Sequence, residues 1–330
     1  MDAATTPHRI LIVGGVAGGM SAATRLRRRD SNAEIVVFER GDDVSFSNCG
    51  LAYYVGGVID ERETLVPRTP EFFQTRYDID VRVLTEVIAI NPGAWTVTTR
   101  HMPSGDERVE QYDQLLLAPG ATAIVPEVPG GELALTLRDV RDVDRILARS
   151  RELAAGARVV VIGGGYIGLE LVDNLLRRGL SVTLVQRSDH LLSSLDIEMA
   201  APVAEHLIQL GVDVRLRAEV REISADAVVL DSGERINASL VLAAIGVSPD
   251  ARLATAAGIR VGSTGGVAVD EFHRTSAPGV FAVGDAAEKL SAITGEPRLI
   301  SLAGPANRDG RYVADTMTGL PTALPPRHWA

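Results

Sequence analysis

The sequence predicts an α/β fold with two mostly parallel sheets, and three observations carry that prediction. His8-Arg9-Ile10-Leu11-Ile12-Val13 is a continuous, largely β-branched run, the pattern of a strand buried on both faces of a parallel sheet. It opens directly into a glycine-rich turn, Gly14-Gly15-Val16-Ala17-Gly18-Gly19, followed by a helical stretch and a second strand over 34–39. The same order of strand, glycine turn, helix and strand recurs at 158–185.

In the first copy, glycines let the backbone approach a pyrophosphate that rests on the helix amino terminus. Glu39, 20 residues past Gly19 at the end of the second strand, is placed to accept a hydrogen bond from a ribose hydroxyl. Val16 stands where the middle glycine of GxGxxG belongs, so this copy departs from the fingerprint. The second copy fits it fully: Val159-Val160-Val161-Ile162 leads into Gly163-Gly164-Gly165-Tyr166-Ile167-Gly168, a helix over 169–178, Gly179 as a stop signal, and a strand over 181–185. Two such units are Rossmann-like dinucleotide-binding domains, and they imply two dinucleotides. The second ends in Gln186-Arg187 instead of an acid. Gln offers no carboxylate to a ribose 2′-hydroxyl, while Arg187 can pair with a 2′-phosphate, which leans towards NADPH or towards indifference between the two nicotinamides; a solvated Arg on a loop is the alternative.

Between the copies, strands are expected over 81–91 and 94–100, and an accessory antiparallel element with them. A further strand runs through Leu115-Leu116-Leu117 into Ala118-Pro119-Gly120-Ala121, and a helix is expected over 137–154. Gly279-Val280-Phe281-Ala282-Val283-Gly284-Asp285 is another buried strand delivering one acid at its end. Asp285 suits a ribityl hydroxyl or the pyrophosphate region, or a helix N-cap. Leu302-Ala303-Gly304-Pro305-Ala306-Asn307 opens a helix ending near Gly319, and 322–330 reads as an irregular tail.

Composition narrows the function. The chain has 330 residues, 32 of them Gly, and a net charge of -10, which suits two packed domains and argues against disorder, nucleic acid and anionic membrane surfaces as partners. No apolar run approaches the ~18 residues of a membrane span, and the first nine residues hold no secretory core, so the expectation is a cytoplasmic protein.

Cys49 is the only cysteine, which rules out a disulfide within the chain. A lone cysteine is commonly a small buried hydrophobe. Here it follows Ser47-Asn48 and precedes Gly50-Leu51-Ala52-Tyr53-Tyr54-Val55, at the start of an expected helix. A helix amino terminus favours a thiolate by up to ~2 kcal/mol. That is enough to move a thiol from ~8.5 towards ~7 and make it a redox group.

With these residues in view, the chain resembles the pyridine nucleotide–disulfide oxidoreductases with two dinucleotide-binding domains, most of all the branch of coenzyme A disulfide reductases, NADH oxidases, NADH peroxidases and persulfide reductases. The resemblance covers about residues 8–319. It rests on Ser45-Phe46-Ser47-Asn48-Cys49-Gly50-Leu51 with Tyr53-Tyr54-Val55-Gly56-Gly57, the Gly14-Gly15-Val16-Ala17 loop, Ala118 to Ala121, Gly279 to Asp285, and Leu302 to Asn307.

The resemblance implies a discontinuous FAD-binding domain, 1–122 and 247–319, with an NAD(P)H-binding domain, 123–246, inserted in it. FAD would meet Gly14, Gly15, Val16, Ala17, Gly19, Glu39, Arg40, Val87, Ala118, Pro119, Gly120, Gly284, Asp285 and Ala303. NAD(P)H would meet Gly163, Gly165, Tyr166, Ile167, Gly168, Gln186, Arg187 and Gly246. Tyr166 resembles the aromatic that covers the flavin's nicotinamide side, with ordinary helix packing as the alternative, and Glu170 matches the acid near the nicotinamide amide. Cys49 would cycle between thiolate and a mixed disulfide or a sulfenic acid, with Asn48 and Ser45 orienting substrate or thiolate. Arg25, Arg28, Arg62 and Arg68 are candidates for coenzyme A phosphates, each equally readable as a solvated basic side chain.

The expected activity is electron transfer from NAD(P)H through FAD to Cys49 and on to a disulfide or persulfide such as coenzyme A disulfide. The alternatives are an oxidase or peroxidase working through a Cys49 sulfenic acid, an electron-transfer flavoprotein resembling ferredoxin reductases, and a cofactor-binding remnant. Members of the branch carry a further interface domain where this chain has only 320–330, so a monomer or an atypical dimer is expected.

Overall fold

The computed structural model describes residues 8–291 and 293–320. These fall into two compact units, one within Met1–Phe46, Val66–Ala121 and Pro249–Ala330, the other Ser47–Leu65 and Thr122–Ser248. The chain changes unit at 121/122 and 248/249, against the expected 122/123 and 246/247. One segment differs outright: Ser47–Leu65, expected with the residues before it, packs with the second unit. The expected tail, 320–330, lies outside the described residues apart from Leu320.

The first unit is built on a five-stranded parallel sheet in the order Val280–Ala282, Gln114–Leu117, Arg9–Val13, Glu34–Phe38, Asp80–Arg82. Its strands are unbroken apolar runs because both faces are covered. Ile10, Ile12, Ile35, Val37 and Leu116 face a helical layer that includes Met20, Leu26, Val313 and Ala314. Leu11, Val13, Val36, Phe38, Leu115 and Leu117 face the other way, onto Val87, Ile90 and Val97. Fully burying such a side chain contributes about 1.5–3 kcal/mol each.

Helices Ala17–Arg29 and Ala303–Met317 lie tightly together. A Cβ on Gly310 would stand 2.3 Å from the Gly18 carbonyl oxygen, and Arg25 reaches across to Asp315 with two hydrogen bonds of 2.9 and 3.0 Å. The expected strand 81–91 is in fact two. Asp80–Arg82 belongs to the parallel sheet, the chain turns at Leu84 (φ 50°), and Thr85–Asn91 opens an antiparallel sheet with Thr96–His101 and Glu107–Gln111.

The second unit repeats the plan. Its parallel order is Asp213–Arg215, Ser181–Val185, Arg158–Ile162, Leu240–Ala243, Leu135–Thr136, and a second antiparallel sheet, Val220–Ile223, Ala227–Leu230 and Arg235–Asn237, covers one face. The expected helix 137–154 is confined to Val140–Arg151, since the Asp139 carboxylate accepts the Asp142 N–H and fixes the start. The expected helix 169–178 starts a turn earlier, at Tyr166. Among the described residues no helix is long and apolar enough to cross a membrane.

Glu110 ties the antiparallel sheet of the first unit to its parallel sheet. Its carboxylate accepts from Arg9 Nη2 at 2.7 Å and from Arg82 Nη1 at 2.8 Å. Burial pushes the Glu110 carboxyl up, but the hydrogen bonds and charges of Arg9 and Arg82 outweigh it and hold it below the usual range. A carboxyl depressed in the folded state stabilises above its unfolded pKa of ~4.3, and that contribution is lost as pH falls through the folded value. Glu110→Gln is therefore expected to cost about 1–2 kcal/mol at pH 7, after allowance for partial exposure. Thermal melts of the two proteins should converge as pH drops below ~4; an equal gap at both pH values would show that the charge is not what matters.

Candidate functional site

Each unit carries one glycine loop, and the two share one backbone plan. Gly14 (φ 102°) donates its N–H to Phe38 O at 2.8 Å, and Gly163 (φ 104°) donates to Val185 O at 2.8 Å. A Cβ on Gly14 would lie 2.1 Å from Ala118 O, and one on Gly163 would lie 2.4 Å from Ala244 O. Gly19 and Gly168 let their helices close onto the loop: a Cβ on either would stand 1.9 Å from the carbonyl of Gly14 or Gly163. These four positions admit no side chain.

The middle glycine is different. A Cβ on Gly165 meets nothing within 4 Å, and its φ of -83° suits any residue. The matching position of the first loop is Val16, with φ -113°. This explains the departure from GxGxxG: the protein's own backbone does not demand a glycine there.

Helices Ala17–Arg29 and Tyr166–Arg177 have no side-chain N-cap and no acid in the first turn. Their first N–H groups are left for a ligand, and the helix dipoles favour an anion. At each strand end the side chain reaches back to the loop. Glu39 Oε2 accepts from Gly15 N–H at 2.8 Å and Oε1 from Gly41 N–H at 2.8 Å, while Gln186 Oε1 accepts from Gly164 N–H at 2.7 Å. A carboxylate has lone pairs to spare beyond these two donors, so Glu39 retains acceptor capacity for a hydroxyl.

Beside the first loop lies a cavity of about 300 Å³, lined by Gly14, Phe38, Glu39, Arg40, Val87 and Pro119 among others. It has the scale of a nucleoside. Val87 is 4% exposed at its floor, and Arg40 approaches Asp250 at 3.7 Å. Leu253, Ala256 and Arg252 also line it; the sequence did not single them out, because their relation to the strand ends is fixed only by the fold. Ala118 and Gly120 follow the strand that meets Gly14, and Gly284 and Asp285 form a turn after Val280–Ala282. Ala303 begins the helix Ala303–Met317. A glycine loop, an uncapped helix and a nucleoside-sized cavity together fit a dinucleotide. The second unit repeats the loop and helix, with Gly246 (φ 117°) after its own strand Leu240–Ala243.

Cys49 is exposed, which removes the reading of a buried hydrophobe. It sits in the turn Asn48–Gly50 that leads into helix Leu51–Gly56. Gly50, behind it, is buried: a Cβ there would meet Leu65 Cδ1 at 3.0 Å and Ile59 Cδ1 at 3.1 Å.

The helix Leu51–Gly56 rests on Tyr166–Arg177, the helix of the second glycine loop. Gly56 makes the approach possible, since its Cβ would lie 2.0 Å from Asn174 Oδ1 and 2.8 Å from Asn174 Cβ. Asn174 is fully buried and donates to Glu170 O at 2.8 Å, and Arg178 Nε donates to Val55 O. None of this was legible in the sequence, where Asn174 and Arg178 look like ordinary helix residues. On the same helix Tyr166 is 64% exposed, with its hydroxyl 3.4 Å from Ser194 Oγ, and Ile167 is exposed beside it. Burial raises the Glu170 carboxyl above the usual range.

Ser45 lies in the first unit, with φ 53° and its N–H donating to Gly15 O at 2.8 Å; Leu192 does the same for Gly164 with φ 49°. The structure thus uses Ser45 as a backbone support of the first glycine loop. The four arginines meet different neighbours. Arg25 is committed to Asp315, Arg28 Nε donates to Thr24 O at 3.1 Å, and Arg68 lies over the Phe72 ring at 4.8 Å. Arg62 belongs to the second unit, 3.8 Å from Asp144.

Comparison with known proteins agrees with this geometry. The sequence profile of the family described as pyridine nucleotide-disulphide oxidoreductase matches residues 8–310. Coenzyme A disulfide reductase of Staphylococcus aureus is 33% identical over 316 residues, covering 95% of this chain and 71% of the relative. Among solved structures, reduced CoADR-RHD of Bacillus anthracis superposes with a TM-score of 0.94 at 42% identity, covering 98% of this chain and 58% of that one. A NAD-dependent persulfide reductase from A. fulgidus superposes with 0.92 at 34% identity, covering 96% and 60%. The chain therefore spans less than two thirds of these two solved proteins.

Two outcomes test the site. One thiol should react with a maleimide in the native protein and none in Cys49→Ser; protection until denaturant is added would place the sulfur inside. Gly56→Ala should destabilise by about 1–3 kcal/mol through overpacking. Because Asn174 is the obstacle, Gly56→Ala with Asn174→Ala should melt above the sum of the two single effects.

Proposed function

The chain belongs to the pyridine nucleotide-disulphide oxidoreductases, and from that premise we propose that it passes electrons from NAD(P)H through FAD to Cys49 and on to a small-molecule disulfide or persulfide, coenzyme A disulfide being the leading candidate. The observation that carries this reading is an exposed Cys49, the sequence's one cysteine, in the turn that opens a helix braced against the helix of the second glycine loop.

In this reading the first unit holds FAD, with Gly14, Gly15, Val16, Ala17 and Gly19 at the pyrophosphate, Glu39 at the ribose, and Val87 and Arg40 in the nucleoside cavity. Ala118, Pro119, Gly120, Gly284, Asp285 and Ala303 complete its walls. Bound there, the flavin supplies a two-electron relay between nicotinamide and sulfur. The second unit holds NAD(P)H over Gly163, Gly165, Ile167 and Gly168, with Gly246 beyond it. Tyr166 shields the site from water, and Glu170, kept protonated by burial to a higher pH than usual, offers a hydrogen bond to an amide.

Cys49 Sγ does the exchange. As thiolate it attacks one sulfur of the incoming disulfide; the S–S bond of the substrate breaks as a new one forms to Cys49, and the first product leaves as thiolate. Two electrons and a proton then release the second thiol and restore the Cys49 thiolate. Asn48, next to it in the turn, orients the substrate or the thiolate in this reading. With a single cysteine the second sulfur of every disulfide must come from outside the chain.

Mass spectrometry of the protein as purified tests the reading. It expects a thiol-reversible adduct on Cys49 with the mass of coenzyme A or another small thiol, and NAD(P)H-driven disulfide reduction that is lost in Cys49→Ser. A single added oxygen on Cys49, with peroxide consumed in preference to disulfides, would replace it with the sulfenic acid reading. Undiminished disulfide reduction by Cys49→Ser would end it.

A further inference from the structure

The two loops offer an internal comparison. They share the glycine geometry, the strand-end hydrogen bond and the left-handed support residue, and they differ in one decisive side chain: Glu39 in the first, Gln186 in the second. A carboxylate at this place accepts from a ribose 2′-hydroxyl and repels a 2′-phosphate. At 186 there is no carboxylate. The amide's oxygen is on Gly164 N–H, and its nitrogen donates to Ser188 Oγ.

Two arginines flank the same turn. Arg187 follows Gln186 directly. Arg217 is brought to it by two backbone bonds, Arg217 N–H to Ser188 O at 2.9 Å and Ala218 N–H to Gln186 O at 3.1 Å. Arg217 also has φ 53°, a conformation an arginine adopts only when its surroundings fix it. Their side chains are 82% and 78% exposed, and each rests only 3.7 Å from one exposed acid, Glu219 for Arg187 and Asp189 for Arg217. Contacts of that length are beyond hydrogen-bond distance, so a dianionic phosphate competes well for both guanidiniums. The neighbouring Arg215 is different: it is bound to Asp213 at 2.6 Å and to Glu234 at 3.0 Å, and is not available.

We propose that the second unit selects the 2′-phosphorylated nicotinamide dinucleotide, NADPH, and that Arg187 and Arg217 together hold its 2′-phosphate. This rests on the reading of the second loop as the nicotinamide site. Arg217, 30 residues from Arg187 in sequence, becomes a specificity residue only through the fold.

Calorimetric titration of the FAD-loaded full chain with NADP⁺, NAD⁺ and adenosine 2′,5′-bisphosphate tests it without turnover. NADP⁺ should bind about tenfold tighter than NAD⁺ or better, and the bisphosphate should compete with it. Arg187→Ala and Arg217→Ala should each lower the NADP⁺/NAD⁺ affinity ratio by about three- to tenfold. Gln186→Glu should turn the preference towards NAD⁺. Equal affinities, a preference for NAD⁺, or a ratio untouched by both arginine substitutions overturns this proposal alone. Binding of neither dinucleotide overturns it together with the reading it rests on.

Discussion

The structure depends on a steric exclusion made twice: a helix that comes so close to the end of a strand that four glycine positions have no room for a Cβ. At 1.9 Å from a carbonyl oxygen, a methyl group at Gly19 or Gly168 would push the helix off the loop. Held in place, each helix points bare amide groups at one spot, and a phosphate is the group best matched to them. The parallel sheets, the helical layer and the strand-end side chains all serve to hold that approach.

The cysteine segment shows how chain order and spatial grouping part company. Ser47–Leu65 follows the first glycine unit in sequence yet packs with the second. Its short helix is seated by Gly56 on Asn174 and closed by Arg178 at Val55 O. A helix of this length has little stability alone, so tertiary packing positions Cys49. Tyr166, Glu170 and Asn174, all on the helix beneath it, share the same unit as the thiol.

Much of this was readable from residue order. Glycine turns after apolar runs, with their helices and second strands, located both loops, because such motifs depend on local backbone needs. The run through Leu84 misled, since one turn with positive φ divides a continuous apolar pattern between two sheets. The Val220–Asn237 antiparallel sheet was not assigned to its residues, although Ser232-Gly233, with φ 85° at the glycine, marks the turn between two of its short strands. Arg25 looked like a free cation until the fold brought Asp315, 290 residues away, against it. Cys49 was legible as a residue of interest, but its exposure and the seating of the following helix, through Gly56, on Asn174 belong to tertiary contact. The middle glycine illustrates the reverse: a departure that looked like a weakness is neutral once the empty space beside Gly165 is seen.

The matched strand-end side chains also bear on sorting. FAD and a nicotinamide dinucleotide share an adenosine diphosphate half, and two loops of the same shape cannot tell such halves apart by fit. Charge can. In the proposed reading Glu39, whose carboxylate stands at the first loop, turns a phosphorylated ribose away from that cradle and accepts an unmodified one. On that reading, one carboxylate-to-amide exchange between duplicated halves is sufficient to keep two related molecules at their separate stations.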